Sequence, residues 1–351
     1  MKRYIYKQLL AWKNEKEHKP LILNGARQVG KTYILREFGR NEYKRMAFFS
    51  LDRDQKALEI FNKGGRATDM LMALSAICHE DITPHDTLVV LDEIQNCPKA
   101  LEALKFFCEE TPEIDIVVAG SLLGLSIHSG VSYPVGKVEE LHLYPMTFLE
   151  FLEAMGKTQL VNLLENKNWT VINMLETELI SSLRQYYYVG GMPAAVLAHI
   201  EKKGWKEVRR IQQQIITDYR RDFSKHAPTR EIPRINMVWD SIPAQLAKEN
   251  KKFVYGAVKK SARAADFEMA IQWLIDAGLA YKVPRVNAPR LPLKFYEDIS
   301  AFKLFMLDVG LMGAMAETTA ESVVVGDNIF SEYKGAFTEL YVFTQLKALG
   351  Y

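Results

Sequence analysis

Eight consecutive residues, Gly25-Ala26-Arg27-Gln28-Val29-Gly30-Lys31-Thr32, are the part of this chain whose types and spacing could do chemistry. They fit G-x-x-x-x-G-K-[ST], a pattern in which a glycine-rich turn wraps a chain of phosphates. Gly25 and Gly30 allow positive φ and let the backbone approach an anion with no Cβ in the way. The successive N–H groups of Ala26, Arg27, Gln28 and Val29 would then face inward as a nest at the positive end of a helix. Lys31 would set an ammonium against β- and γ-phosphates, and the Thr32 hydroxyl would ligate Mg²⁺. The competing reading is a strand-to-helix turn with no ligand. The flanks decide for the phosphate loop: Leu21-Ile22-Leu23 reads as a buried strand, and Thr32 to Phe38 has helical spacing.

A second stretch, Thr87-Leu88-Val89-Val90-Leu91-Asp92-Glu93, is an apolar run ending in two acids. A buried parallel strand reads this way when its C-terminal end meets a ligand. Two acids alone would be an ordinary solvated strand end. Beside a phosphate loop, Asp92 is expected to hold Mg²⁺, and Glu93, pointing elsewhere, to polarise an attacking water. Ile114 to Ser121 is a further apolar strand ending in a small polar residue, where Ser121 is either a γ-phosphate sensor or a helix cap. Between two helical stretches lies Gly190-Gly191-Met192-Pro193, a tight turn on the plain reading and a lid packing Pro193 on adenine on the functional one.

The elements that must position these residues follow from periodicity. Tyr4 to Lys13 reads as an amphipathic helix, Met46 to Leu51 as a strand, and Gln55 to Glu80 as helices broken at Gly64-Gly65. Lys99 to Glu110 reads as a helix with Asn96 or Cys97 at its cap and Pro98 in its first turn. Ser126 to Gly136, rich in Ser, Gly and Pro, reads as a mobile loop, and Val138 to Leu143 as a fifth strand. Five strands alternating with helices predict an α/β parallel sheet covered on both faces, over residues 1–155. A helical lid is expected at 156–235 and a winged-helix-like domain at 236–320. The winged helix rests on helices at Ile242–Lys248, Val254–Lys260 and Ala265–Ala277, with strands at Leu279–Val286 and Leu293–Tyr296. Lys259, Lys260 and Arg263 could meet DNA phosphates there. From Glu201 to Arg234 ten Lys/Arg face five Asp/Glu, concentrated at Arg209, Arg210, Arg220, Arg221 and Lys225. That run is a solvated helix face, an anion-binding face, or a source of arginine for a neighbouring subunit.

The bulk composition narrows the class. The 351 residues are 48% hydrophobic and 25% charged with a net charge of +2, so no global field favours nucleic acid or membrane. Cys78, Cys97 and Cys108 lack metal spacing and read as reduced thiols. The N-terminus has no apolar h-region, and no apolar run approaches membrane-spanning length; a cytoplasmic protein is expected.

With these residues assembled, the chain resembles the bacterial and archaeal AAA+-related ATPases that carry a C-terminal domain of uncharacterised role. The resemblance rests on the phosphate loop with its strand, Leu91-Asp92-Glu93-Ile94-Gln95, Ala119-Gly120-Ser121, Leu143-Tyr144-Pro145-Met146-Thr147-Phe148, Gly190-Gly191-Met192-Pro193 and Phe302 to Leu311. It implies a P-loop NTPase core, a helical lid, a winged helix, and ATP with Mg²⁺. Two departures accompany it. Gly136-Lys137 stands where the family usually has Gly-Arg. The family also commonly continues into a PD-(D/E)XK nuclease-like domain, of which residues 321–351 resemble only the opening; the chain then reads as a shortened form in which Glu339 is structural. The expected activity is Mg²⁺-dependent ATP hydrolysis moving lid and winged helix, with Lys31, Glu93 and Ser121 in the chemistry. The alternative is a slow nucleotide-switched module that holds ATP or ADP. Expected partners are DNA at the winged helix, a second copy or another protein, and no membrane.

Overall fold

The computed structural model describes residues 1–121, 132–248, 252–326 and 328–351, so most of the loop expected at 126–136 lies outside the described residues. The chain divides into two compact units, Arg3–Leu143 and Met1–Lys2 with Tyr144–Tyr351.

In the first unit the order is α1 (Ile5–Asn14), β1 (Leu21–Asn24), α2 (Lys31–Glu42), β2 (Arg45–Ser50), α3 (Gln55–Lys63), α4 (Ala67–Cys78), β3 (Thr87–Asp92), α5 (Pro98–Glu110), β4 (Asp115–Ala119) and β5 (Glu139–His142). All five strands are parallel, in the order β2-β3-β4-β1-β5. This is the α/β architecture the alternation predicts. Both faces of the central strands are apolar because both are covered. Ala47, Phe49, Val89, Leu91, Ile116, Val118 and Ile22 pack on one face with residues of α3, α4 and α5. On the other, Gly39 of α2 lies so close to Met46 and Leu88 that an added Cβ would stand 2.4 Å from the Met46 sulfur.

Register aligns the C-terminal ends of the strands along one edge: Ser50 pairs with Asp92, Asp92 with Ala119, and Leu23 with Ala119. At the opposite end, half-buried His18 closes an ion pair with Asp115, Nε2 to Oδ1 at 2.8 Å. The bond to Asp115 raises the His18 pKa above its ordinary value, against the opposing effect of burial.

The second unit is helical with one hairpin: α6 (Phe148–Ala154), α7 (Thr158–Glu165), α8 (Trp169–Met174), α9 (Glu176–Val189), α10 (Pro193–Ile200), α11 (Trp205–His226), α12 (Ile232–Ala247), α13 (Tyr255–Val258), α14 (Ala264–Asp276), β6 (Ala280–Val286), β7 (Glu297–Met306), α15 (Val309–Met315) and α16 (Asn328–Ala348). Thr147 caps α6 in a reciprocal capping box with Glu150.

Two local expectations change. The second strand of the hairpin is Glu297–Met306, and Leu293–Tyr296 is a 3-10 turn. The turn leaves Leu293 and Phe295 exposed, whereas β7 buries Phe302, Leu304, Phe305 and Met306, so burial selected the later segment for pairing with β6. The helix expected from Ile242 starts ten residues earlier, at Ile232; Pro243 lies inside it rather than in its first turn. Buried Ile235, Val238, Trp239, Ile242 and Leu246 keep the 3.6-residue stripe running past the proline.

Three of the sequence stretches that carried the resemblance meet in one knot of backbone. Gly191 donates its N–H to Asp308 Oδ2 at 2.6 Å, Leu311 donates to Asp308 Oδ1 at 2.9 Å, and Met146 N–H donates to the Gly191 carbonyl at 2.7 Å. A Cβ on Gly191 would sit 2.1 Å from the Met146 carbonyl oxygen, and one on Gly190 would sit 2.2 Å from Asp308 Oδ1. Gln212 donates to the carbonyls of Tyr188 and Val189 at 2.8 and 2.9 Å. Burial pushes the Asp308 carboxyl up to about 6 while the N–H groups of Gly191, Leu311 and Gly310 oppose the rise.

Two outcomes follow for stability. A raised histidine pKa stabilises the fold fully below the unfolded value near 6.5, and this contribution fades as pH climbs through the folded value. Urea unfolding followed above pH 6.5 should therefore show stability falling with pH in the wild type and a flatter profile in His18→Ala. Asp308→Ala removes the acceptor for the N–H groups of Gly191, Gly310 and Leu311 and should cost on the order of 3 kcal/mol, read as an earlier unfolding transition of the second unit.

Candidate nucleotide site

β1 ends at Asn24 and the chain turns at once into the loop. Gly25 has φ 149° and Gly30 φ 100°, both in the region that favours glycine. A Cβ at Gly25 would stand 2.4 Å from the Leu143 carbonyl oxygen, so close backbone approach as well as φ demands glycine here. Gln28 also takes positive φ, 67°. Ala26 and Val29 are buried, and Arg3, itself buried, donates from Nη1 to the Val29 carbonyl at 2.9 Å, tying the start of the unit to the loop. Gly30 then serves as the N-cap of α2, so the helix opens directly onto the loop.

The charged groups gather at that opening. Lys31 is buried, and its ammonium donates to the carbonyls of Gly25 at 2.7 Å and Ala26 at 2.9 Å. Desolvation pushes its pKa down to about 8, against the carboxylates of Glu93 and Asp92; the Arg27 charge pushes the same way as burial. Thr32 Oγ1 donates to Asp92 Oδ2 at 2.7 Å. Asp92, at the tip of β3, is 4% exposed, and burial raises its carboxyl above the ordinary value. Its other oxygen accepts from the Glu93 N–H at 3.1 Å.

Glu93 leaves the strand in a left-handed conformation, φ 56° and ψ 43°, as the residue before a 3-10 turn at Ile94–Asn96. Its carboxylate accepts a hydrogen bond from the Gln95 amide. Ser121, two residues beyond β4, is 5% exposed, and its hydroxyl has no hydrogen-bond partner among the described residues.

Thus Gly25 through Thr32, Asp92 and Glu93 come together, while Ser121 follows the end of the strand next to β3. Pro193 belongs to the second unit, where it is the first residue of α10 after the Gly190-Gly191 turn. Lys137 pairs with Glu109 at 3.0 Å. In the cation-rich stretch, Arg210 pairs with Glu207, Arg220 with Asp240 and Arg221 with Asp218. Arg209 is turned inward onto the Thr318 carbonyl and the Tyr188 ring. Those pairings match the solvated-face reading. Glu339 pairs with Lys303. Sequence reasoning missed Arg3 and Gln95; both are polar residues in an otherwise apolar or turn context, and only the fold shows what they face.

Comparison with known proteins agrees with this geometry. Residues 17–152 match the family described as AAA domain, and residues 180–322 match a domain of unknown function (DUF8612). None of the curated proteins matches the sequence. Among solved structures, the Walker-type ATPase PABY2304 of Pyrococcus abyssi superposes at a TM-score of 0.54 with 13% identity, over 90% of this chain and 95% of that one. Cdc6p from Pyrobaculum aerophilum matches at 14% identity over 90% of this chain and 96% of that one, with a TM-score of 0.32 too loose to carry weight. The first unit is an AAA-type P-loop fold.

Proposed function

We propose that the protein binds ATP at the Gly25–Thr32 loop and hydrolyses it with Glu93 as general base. The observation that carries this is the convergence of the buried Lys31 ammonium, the Thr32–Asp92 pair and a separately held Glu93 on one sheet edge. The loop and the N-terminus of α2 receive the phosphates, and Lys31 exchanges the carbonyls of Gly25 and Ala26 for phosphate oxygens. Mg²⁺ fits the donor set: Thr32 and Asp92 offer hard oxygen ligands already in contact, and a cation relieves the burial that raises the Asp92 carboxyl. The ion supplies charge neutralisation at the phosphates. Glu93 takes the proton of the attacking water, and the Ser121 hydroxyl, without a partner among the described residues, senses the γ-phosphate.

The domain readings of the sequence stand beside this as proposals: a helical lid at 156–235 with Pro193 toward the adenine, a winged helix at 236–320, and movement of both through the hydrolysis cycle. The hairpin after α12, α13 and α14 supports the winged helix. DNA binding draws less support. Lys259, Lys260 and Arg263 are exposed, but α14, which follows them, exposes Asp266 and Glu268 and would bring acids toward a phosphate backbone.

Steady-state hydrolysis with Mg²⁺ tests the central claim. Glu93→Gln should lose roughly 10²–10⁴ in turnover while retaining ATP in a filter-binding assay; equal loss of binding, or wild-type turnover, would count against Glu93 as base. A second outcome concerns protons. A polyanion seated on Lys31 raises a pKa that stands at about 8 in the free protein, so binding near pH 8 takes up protons and affinity falls as pH rises further. Calorimetric titration in two buffers of different ionisation enthalpy at pH 8 should reveal net uptake, absent in Lys31→Met.

A further inference from the structure

Gln95 has no part in the chemistry so far, yet its two amide ends are in unlike situations. Its nitrogen donates to Glu93 Oε2, and its carbonyl oxygen is buried with no hydrogen-bond partner among the described residues. The orientation of the amide is fixed by chemistry, because only the nitrogen end can donate to a carboxylate. The reach is fixed by backbone. Glu93 turns through a left-handed conformation, Asn96 N–H bonds back to the Glu93 carbonyl at 3.0 Å, and Cys97 N–H bonds to the Ile94 carbonyl at 3.0 Å. Ile94, fully buried, anchors the turn. Residues 93 and 95 are thereby folded so that one side chain lies on the other, in the site where water must be activated.

A buried carbonyl without a partner is an exception that calls for a donor. A water molecule has two hydrogens. One acceptor locates it, and two acceptors set the direction of its lone pair. We propose that Gln95 is a catalytic residue of the hydrolysis: its amide nitrogen holds the Glu93 carboxylate, and its carbonyl oxygen accepts the second hydrogen of the attacking water. This rests on the reading of the site as an ATPase. In the step, the water oxygen bonds to the γ-phosphorus as the bond from that phosphorus to the β-bridging oxygen breaks. ADP leaves with the electron pair, the first proton passes to Glu93, and the second stays on the new phosphate while held by Gln95. ADP and inorganic phosphate are the products, and Glu93 returns its proton to solvent.

Gln95→Leu and Gln95→Glu, compared with wild type and Glu93→Gln, test the proposal through kcat, KM and binding of a slowly hydrolysed ATP analogue. Gln95→Leu should lower kcat by about 10- to 100-fold with KM and analogue affinity within about twofold, since Gln95 makes no contact with the phosphate loop's ligand in this scheme. Gln95→Glu keeps an acceptor oxygen but replaces the amide donor with a second carboxylate, and should lower kcat by a similar factor with analogue affinity retained. That loss also answers the question if the leucine variant fails to fold. Wild-type kcat in both variants, alongside robust wild-type turnover, would overturn the role of Gln95 alone. Analogue binding with no wild-type turnover would overturn the hydrolysis reading and this assignment with it.

Discussion

Parallel pairing of the five strands of the first unit is the constraint on which its chemistry depends. In a parallel sheet all the C-terminal strand ends fall on the same edge, and the register places Asp92 beside Ala119 and Ala119 beside Leu23. The loop that follows β1 and the acids that end β3 are thus neighbours, although about sixty residues separate them in sequence. The cost of that arrangement is a set of ionisable groups at the margin of a dry core. The central strands β3 and β4 are buried along their whole length and β1 along most of it, and they carry that edge.

The free site is electrostatically self-contained. Lys31 is satisfied by carbonyls of its own loop, Thr32 by Asp92, and Glu93 by Gln95. None of these contacts is strong compared with what a phosphate chain offers an ammonium at a helix N-terminus. Burial has already lowered the Lys31 pKa and raised that of Asp92, so both groups stand to gain when an opposite charge arrives. The interactions that hold Lys31 and Thr32 are the ones a phosphate chain and its cation would replace.

Much of this was legible in the chain because it depends on local pattern. The glycines, Lys31 and Thr32 announce themselves by spacing, and the β3 run by its unbroken apolar residues before Asp92. What escaped notice depends on tertiary contact. Leu293–Tyr296 has the composition of a strand, but no neighbouring segment buries it, and the pairing goes to Glu297–Met306. The helix read from Ile242 begins at Ile232, because the buried stripe from Ile235 through Trp239 to Leu246 runs on through Pro243. Gln95 carried no signal beyond its place in a familiar stretch, since an amide near an acid is unremarkable until the turn at Glu93 folds one onto the other.

The glycine pair of the second unit shows how a recurrent motif can be structural at its root. Gly190 and Gly191 look like a hinge or a ligand turn, but the space a Cβ would need at each is filled by Asp308 and by the Met146 backbone. The same Asp308 starts α15 by accepting from Leu311, so one carboxylate joins the turn before α10 to a helix more than a hundred residues later. Tyr186 reaches the Met146 carbonyl from the end of α9 and closes the group. A buried carboxylate with its pKa pushed up to about 6 is costly, and its backbone donors offset that cost only while all of them are in place. That makes the knot cooperative: substituting any of Gly190, Gly191 or Asp308 disturbs several segments at once. The Gly190 to Pro193 turn is therefore explained by packing within its own unit, and whatever Pro193 does for a nucleotide is added to a turn that the fold already requires.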